Sequence, residues 1–290
     1  MNLWQQYLRP SSVTEALQAL SSAPAPVCAI AGGTDLMLDL QQGRHPPVHT
    51  LVDLTCIPEM NVIEIRGEEL FIGAVAPLSQ IAASPLVGEH AQALTEACSL
   101  IAGPQVRNVA TLGGNVAHAL PAADGTIALI ALGAQALVAD HDGCRRVPFS
   151  GLFLGPGRTA LKGGQELLVG FYLPLRGPGQ ASAFQRVMRA QGIALPILNM
   201  TIWLERKAGS ISQIRISAGP SGPTPCRLPL TEETFCGQPF TPELCDRALA
   251  VMLNEVHFRS SPHRASAEYR QHLAGVLLHD TLQAAWQRAG

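Results

Sequence analysis

The chain has 290 residues, of which 47% are hydrophobic and 14% are charged, and its formal net charge at pH 7 is −2. This composition excludes a disordered chain, and the small net charge gives no electrostatic reason to expect a nucleic-acid partner. No apolar run is long enough to span a bilayer and the N-terminus lacks the apolar centre of a signal peptide, so we expect a cytoplasmic protein without a membrane span.

The cysteines and histidines do not show the spacing of a metal site. The seven cysteines form no C-x-x-C pair, and no H-E-x-x-H motif is present. Zinc and iron–sulfur sites within one chain usually require such clusters. We therefore expect no metal ligands in this chain, and cysteines that pack as small apolar side chains.

The first 55 residues predict a small α/β unit. Ser12-x-x-Glu15 is a capping box in front of an amphipathic helical pattern. The apolar run 27–30 is typical of a buried parallel strand. A second helix is expected over 35–42, ending at a glycine, and a second strand over 48–54.

Residues 56–176 predict a second, α+β unit. Alternating apolar residues indicate strands and hairpins, and apolar residues at helical spacing indicate helices. The expected elements are hairpins at 62–72 and 135–149, a strand at 166–173, and helices at about 85–100 and 126–132.

A linker at 176–179, Arg-Gly-Pro-Gly, leads into a third unit over 177–290. This unit is again expected to be α+β, with its strands first and its helices last. The expected elements are strands at 182–190, 197–205 and 211–218, a proline-rich loop at 220–229, and helices at 242–256 and 263–288.

The first motif with chemical potential is residues 31–35, AGGTD, which follow the buried strand at 27–30. Paired glycines let backbone N–H groups approach an anion without a Cβ in the way, so such a turn can hold a phosphate. The alternative is an ordinary strand-to-helix turn with Thr34 or Asp35 as the N-cap. The spacing is not G-x-G-x-x-G, so the usual dinucleotide motif is missing.

The second motif is residues 111–115, TLGGN, another glycine pair flanked by hydroxyl and amide side chains. The alternative here is a tight turn with a structural asparagine. Two such turns fit a ligand with two phosphates better than either turn alone. Neither motif has a lysine nearby, which favours a cofactor held by backbone and neutral donors.

Four segments resemble the FAD-binding (medium) subunits of molybdenum hydroxylases, such as xanthine dehydrogenase and carbon monoxide dehydrogenase. Residues 31–35 (AGGTD) and 101–115 (IAGPQVRNVATLGGN) are similar to the two signatures of that family, and residues 121–124 (PAAD) and 266–270 (SAEYR) also match. The resemblance covers essentially the whole chain and is nearest to the flavin subunit of bacterial xanthine dehydrogenase.

The resemblance implies an α+β architecture, a vanillyl-alcohol-oxidase-like FAD-binding fold with two α/β lobes and a C-terminal α+β domain. It implies an electron-transfer subunit that receives electrons from iron–sulfur clusters and passes them through FAD to NAD or another acceptor. An iron–sulfur subunit and a molybdopterin subunit are the partners it implies. FAD is expected to be non-covalent, since no His or Cys stands at a family attachment site.

The resemblance also implies which residues contact the cofactor, and it implies no catalytic residue. The backbone of the two glycine turns would hold the pyrophosphate, Asp124 would bind near the ribityl or ribose part, and Leu167 would lie beside the isoalloxazine. The implied contacts are Cys28, Ala29, Ile30, Ala31, Gly32, Gly33, Thr34, Asp35, Ala110, Thr111, Gly113, Gly114, Asn115, Asp124, Leu167 and Gln185.

Several positions depart from the family pattern. Leu120 stands where a serine hydroxyl usually reaches the cofactor, and Gln185 occupies the place of a lysine close to the flavin ring. Arg186 is adjacent, but successive strand residues point to opposite faces, so we expect it to be a poor substitute. For Asp124 the alternative role is the N-cap of a helix, and for Arg107 we expect a salt bridge that orders its loop.

Two other functions stay open on the sequence. One is a stand-alone flavin reductase or oxidase on the same fold, which would need its own acid or base near the flavin. The other is a scaffold subunit with weakened FAD binding, which Leu120 and Gln185 make conceivable.

Overall fold

The computed structural model describes residues 3–189, 195–262 and 264–290. Its first sheet is parallel, with strand order β1-β3-β2. The elements of this part are β1 (Gln6–Leu8), α1 (Val13–Ser22), β2 (Val27–Ile30), α2 (Leu36–Gln41) and β3 (Thr50–Asp53). Ile30 pairs with Asp53, so the carboxyl ends of β2 and β3 lie at one edge of the sheet, where the 31–35 turn begins.

The predicted capping box at α1 is confirmed in a shifted form. Ser12 Oγ accepts the N–H of Glu15 at 3.2 Å, as expected. The Glu15 carboxylate, however, accepts the N–H and the hydroxyl of Ser11, both at 2.8 Å, instead of the N–H of Ser12. These hydrogen bonds lower the pKa of the Glu15 carboxyl. Both caps favour the helix start at Val13.

The second sheet is antiparallel, with strand order β4-β5-β10-β6-β7, and both predicted hairpins are confirmed. Helices cover one side of it, and β8 and β9 form a separate small ribbon. The elements are β4 (Ile63–Arg66), β5 (Glu69–Gly73), α3 (Leu78–Ala83), α4 (Pro85–His90), α5 (Gln92–Leu100), α6 (Pro104–Arg107), α7 (Leu112–Ala117), α8 (Asp124–Ala131), β6 (Gln135–Asp140), β7 (Gly143–Pro148), β8 (Phe153–Gly155), β9 (Arg158–Thr159) and β10 (Leu167–Pro174).

The single helix expected over 85–100 is two helices, because Ala91 leaves helical geometry at φ −143° and ψ 51°. The second of them, α5, packs against the third sheet. Ser182 Oγ of that sheet accepts the N–H of Ala93 at 3.1 Å, in the first turn of α5. A tertiary cap of this kind leaves no local signal in the sequence.

The third sheet is antiparallel, with strand order β11-β12-β13. The three predicted strands and the last predicted helix are confirmed, although residue 190, at the expected end of the first strand, and residue 263, at the expected start of that helix, lie outside the described residues. The elements are β11 (Gln180–Met188), β12 (Pro196–Lys207), β13 (Ser210–Gly219), α9 (Pro229–Phe235), α10 (Pro242–Glu255) and α11 (Ala267–Arg288). Helix α9 was not predicted. The Glu255 carboxylate of α10 accepts the N–H groups of Leu230 and Thr231, in the first turn of α9. Helix α9, like α5, therefore depends on a tertiary cap.

The third sheet separates two apolar cores. One of its faces, with Phe184 and Trp203, joins the larger core, which is built on the second sheet and its helices. The other face, with Ala183 and Ile202, packs against α9, α10 and α11. The sheet therefore separates the part of the chain that carries the two glycine motifs from the C-terminal helices.

Neither a membrane span nor a metal cluster is found in the described residues. In those ranges, every helix is too short or too polar to cross a bilayer. Across the same ranges, no three His, Cys, Asp or Glu side chains are grouped so that they could hold a metal ion.

Phe71 stabilises the centre of the second sheet. Its ring is fully buried and lies over Gly170, where a Cβ would come within 2.4 Å of the ring. Gly170 pairs with Gly73 in the β5–β10 ladder, and neither residue has a side chain. The Phe71 ring therefore covers backbone that these two glycines leave bare. The Arg66 guanidinium lies 3.6 Å from the ring centroid.

We expect Phe71→Ala to lower the free energy of unfolding by about 3–5 kcal/mol, because it removes a fully buried aromatic ring. Denaturant unfolding followed by circular dichroism measures the change. The matched control is Leu154→Ala, since Leu154 is 63% exposed; it should change stability by less than about 0.5 kcal/mol. Equal losses in the two variants would contradict this role of Phe71.

Candidate cofactor site

The two glycine turns, far apart in sequence, touch each other in the fold. A Cβ at Gly32 would lie 2.0 Å from the Val109 carbonyl oxygen and 2.8 Å from the Ala110 Cα. No side chain fits there, so only glycine allows the turn after β2 to pack on the segment that leads into α7. The fold thus brings the residues predicted from both motifs to one place.

The first turn carries free hydrogen-bond donors. Gly33 has φ +67°, a left-handed conformation that favours glycine. The N–H groups of residues 32–35 have no hydrogen-bond acceptor within the described parts of the chain. All four residues are half-buried or exposed. Successive N–H groups in such a turn form a concave site for an anion.

The alternative role of this turn, as the N-cap of α2, is met by the position of its residues but not by their side-chain hydrogen bonds. Asp35 is the N-cap residue of α2, yet its side chain caps no N–H group. The Thr34 hydroxyl lies 3.5 Å from Asp35 Oδ2 and also does not cap the helix. Helix capping therefore does not consume the donors of the turn.

The second turn differs, because the N–H groups of residues 112–115 are already paired. Thr111 Oγ1 caps the N–H of Gly114 at 3.1 Å, and the N–H of Gly113 donates to the Ala74 carbonyl at 2.8 Å. Asn115 Oδ1 accepts the N–H of Thr126 at 3.1 Å and ties α7 to α8. The turn is thus a rigid support with a structural asparagine, and what it offers a ligand is the N–H and the hydroxyl hydrogen of Thr111, which have no acceptor in the described residues.

Asp124 is buried in a polar network and is not an N-cap. The N-cap of α8 is Ala123, so the capping alternative is wrong. Asp124 Oδ2 accepts Arg186 Nη1 at 2.5 Å, and Oδ1 accepts Asn199 Nδ2 at 2.6 Å. Burial raises the pKa of the Asp124 carboxyl, while Arg186 and Asn199 act in the opposite direction.

Gln185 and Arg186 point to opposite faces of β11, as expected. The neighbours of Gln185 at two-residue spacing, Ala183 and Val187, belong to the core against α11, so Gln185 lies on that face. Arg186 lies on the face towards the glycine turns and also donates to the Leu100 carbonyl. Strand geometry therefore places Arg186, and not Gln185, beside Asp124; contact of Gln185 with a cofactor stays a prediction.

The remaining predicted residues lie on the strands that flank the turns. Cys28, Ala29 and Ile30 form the end of β2, next to the first turn, and burial raises the pKa of the Cys28 thiol. Leu167 begins β10 and is buried in the larger core. Ala110 is buried beneath the contact with Gly32.

Arg107 orders its loop, but not through a salt bridge. Nη1 donates to the carbonyls of Ile101 and Ala102, at 2.9 and 2.6 Å. Within the described residues it has no carboxylate within ion-pair distance. The expected salt bridge is therefore wrong, because backbone oxygens replace the carboxylate; they hold Ala102 at φ +46°.

A cavity of about 390 Å³ lies elsewhere, on the outer side of β13. Trp203, Arg215 and Arg227 are among its lining residues. Arg215 Nε donates to the Ala131 carbonyl at 2.9 Å and so caps the C-terminal end of α8. Burial lowers the pKa of Arg215 to about 10. This arginine has a structural partner and does not belong to the glycine turns.

Comparison with known proteins assigns the chain to a family. Residues 3–176 match the model for the FAD binding domain in molybdopterin dehydrogenase. Residues 182–285 match the model for the CO dehydrogenase flavoprotein C-terminal domain. Together the two matches account for almost the whole chain.

Three relatives illustrate the range of the similarity. The carbon monoxide dehydrogenase medium chain of Hydrogenophaga pseudoflava is 31% identical, over 98% of this chain and 97% of that protein. The xanthine dehydrogenase FAD-binding subunit of Escherichia coli O157:H7 is 29% identical over the same shares. The nicotine 6-hydroxylase medium subunit of Paenarthrobacter nicotinovorans is 30% identical, over 98% of each chain. The carbon monoxide and xanthine relatives are thus equally similar to this chain. The motifs led us to expect a greater similarity to xanthine dehydrogenase, and these comparisons do not show one.

The fold agrees with this assignment. A solved chain of the carbon monoxide dehydrogenase of H. pseudoflava superimposes with a TM-score of 0.93 at 30% identity, over 99% of this chain and 98% of that chain. This likeness confirms the predicted fold class, an FAD-binding part followed by a C-terminal domain. The chain therefore belongs to the family of FAD-binding subunits of molybdenum hydroxylases.

Proposed function

We propose that the chain binds FAD non-covalently and acts as the electron-transfer subunit of a molybdenum hydroxylase complex. The observation that carries the proposal is the first glycine turn, whose four successive N–H groups at 32–35 have no acceptor among the described residues and which lies against the second turn through Gly32. Free N–H groups in a turn are suited to a diphosphate. When bound, FAD supplies both one-electron and two-electron chemistry, which a relay between clusters and a hydride acceptor requires.

The residues of the chain divide the binding task. The N–H groups of 32–35 would hold the diphosphate, and the Thr111 hydroxyl would add a donor from the second turn. Asp124 would bind near the ribityl or ribose part and Leu167 would bound the isoalloxazine, as the resemblance implies. Arg186 is paired with the Asp124 carboxylate at 2.5 Å, so its charge is compensated there, and it holds Asp124 in place rather than replacing a lysine near the ring.

Membership of the family supports the proposal of a larger complex. Relatives are named medium chain or medium subunit, and the matching family model is that of a molybdopterin dehydrogenase. We propose that an iron–sulfur subunit and a molybdopterin subunit are the partners, and that electrons leave FAD for NAD or another acceptor. The complex could equally be of the xanthine dehydrogenase type or of the carbon monoxide dehydrogenase type, since the flavin subunits of both are equally similar to this chain.

We expect Gly33→Ala to weaken FAD binding at least about tenfold, because a residue with a Cβ disfavours φ +67° and the N–H groups would turn away from the diphosphate. Titration of the flavin-free chain with FAD, followed by flavin fluorescence, measures the dissociation constant. The matched control is Gly43→Ala, which has the same strain at φ +68° but lies at the other end of α2. Its loss of stability should be similar and its affinity for FAD unchanged. Equal affinities in both variants would show that the turn does not hold the cofactor.

We expect the native protein to purify as a complex that contains FAD, iron and molybdenum. The same chain produced alone should hold FAD without either metal. Size-exclusion chromatography with metal analysis of the native complex makes the comparison. If the chain from its own source elutes alone, holds FAD and oxidises a small substrate without iron or molybdenum, the stand-alone flavoenzyme replaces this proposal.

A further inference from the structure

Asp124 lies where the C-terminal part of the chain meets the FAD-binding part. It is the first residue of α8, and it is only 4% exposed. Both groups that bind its carboxylate come from the third sheet, since Arg186 is on β11 and Asn199 is on β12. These two residues are direct neighbours in the β11–β12 ladder. The orientation of Asp124 is thus fixed by residues outside the FAD-binding match, which ends at residue 176.

Asn199 is held in a single orientation. It is fully buried, and its amide nitrogen donates both to Asp124 Oδ1 at 2.6 Å and to the Ala122 carbonyl at 3.1 Å. On its other side the amide oxygen lies against Gly219, where a Cβ would come within 2.7 Å of it. The side chain therefore cannot turn away from Asp124 without moving β13.

The presence of Asn199 is costly for folding. Its amide oxygen is buried and has no hydrogen-bond partner among the described residues. A buried acceptor without a partner destabilises a protein, although the amide nitrogen of the same side chain satisfies two buried oxygens, those of Asp124 and Ala122. The Nε of Arg186 is buried and unpaired in the same way. The pair thus leaves two buried polar atoms without partners in the described residues, while both side chains are bound to the Asp124 carboxylate and fix its orientation.

We propose that Asn199 is a positioning residue for the flavin site, which holds the Asp124 carboxylate in the orientation that binds the cofactor. The inference rests on the proposed function, because it needs FAD and the contact of Asp124 with the ribityl or ribose part. Each carboxylate oxygen can accept more than one hydrogen bond, so the bonds from Asn199 and Arg186 leave acceptor capacity for a cofactor hydroxyl. Asn199 acts through Asp124 and does not itself touch FAD.

A double-mutant cycle tests the proposal on the full chain. The variants are Asn199→Ala, Asp124→Ala and the two together, and the dissociation constant for FAD is measured for each. Asn199→Ala should weaken binding about tenfold, as expected for a hydrogen bond to a charged group. If Asn199 acts through Asp124, adding Asn199→Ala to Asp124→Ala should weaken binding no further. The flavin absorption spectrum of the Asn199→Ala holo-variant should differ from that of the wild type, whereas the double variant should have the same spectrum as Asp124→Ala.

The control is Thr201→Val on the same face of β12. Thr201 is also fully buried, and its hydroxyl has no partner among the described residues. This variant should bind FAD as the wild type does. If Asn199→Ala does not fold, Asn199→Leu replaces it, because leucine keeps a similar shape and lacks the donor to Asp124.

Three results would overturn the positioning role. Asn199 variants could bind FAD as tightly as the wild type, Asp124→Ala could leave binding unchanged, or the loss caused by Asn199→Ala could be equally large in the absence of Asp124. Failure of the wild-type chain to bind FAD is a separate outcome, which removes the proposed function itself.

Discussion

The site depends on one close approach, that of Gly32 to the carbonyl of Val109. The 2.0 Å that would separate a Cβ from that oxygen excludes every side chain at position 32. This approach joins the first, parallel sheet to the helices of the second sheet. It also presses the free N–H groups of the first turn against the firmly hydrogen-bonded start of α7. A donor turn packed on a rigid support is a preorganised arrangement, in which few groups must be ordered when an anion binds.

The third sheet belongs to the C-terminal part of the chain, but its side chains also form hydrogen bonds with helices of the FAD-binding part. Ser182 caps the first turn of α5, and Arg215 caps the end of α8. Arg186 and Asn199 hold Asp124 at the start of the same helix. Each contact satisfies a helix end or a buried charge that the FAD-binding part leaves open. The proposed cofactor site is thus built from both parts of the chain, even though both glycine motifs lie in the first.

The sequence predicted the features that depend on local pattern. The helix after Ser12, the two hairpins and the strands of the third sheet follow from capping and alternation, and all are present. The sequence could not predict that one helix would break at Ala91, or that Asp124 would be bound by Arg186 and Asn199. Those features depend on residues that are distant in sequence and carry no spacing signal. It predicted two equivalent phosphate turns, whereas only hydrogen-bond partners such as the Ala74 carbonyl reveal that the second is already paired.

Hydrogen exchange of individual backbone amides tests the central claim most directly, that the first turn is the donor and the second is the support. In the flavin-free chain, the amides of 32–35 should exchange rapidly and those of 113–115 slowly, because the latter are hydrogen-bonded and the former have no acceptor in the part of the chain that the structure describes. Saturating FAD should then slow exchange at 32–35 and leave 113–115 nearly unchanged. Exchange at 32–35 that FAD does not alter, with new protection confined to 113–115, would contradict the account.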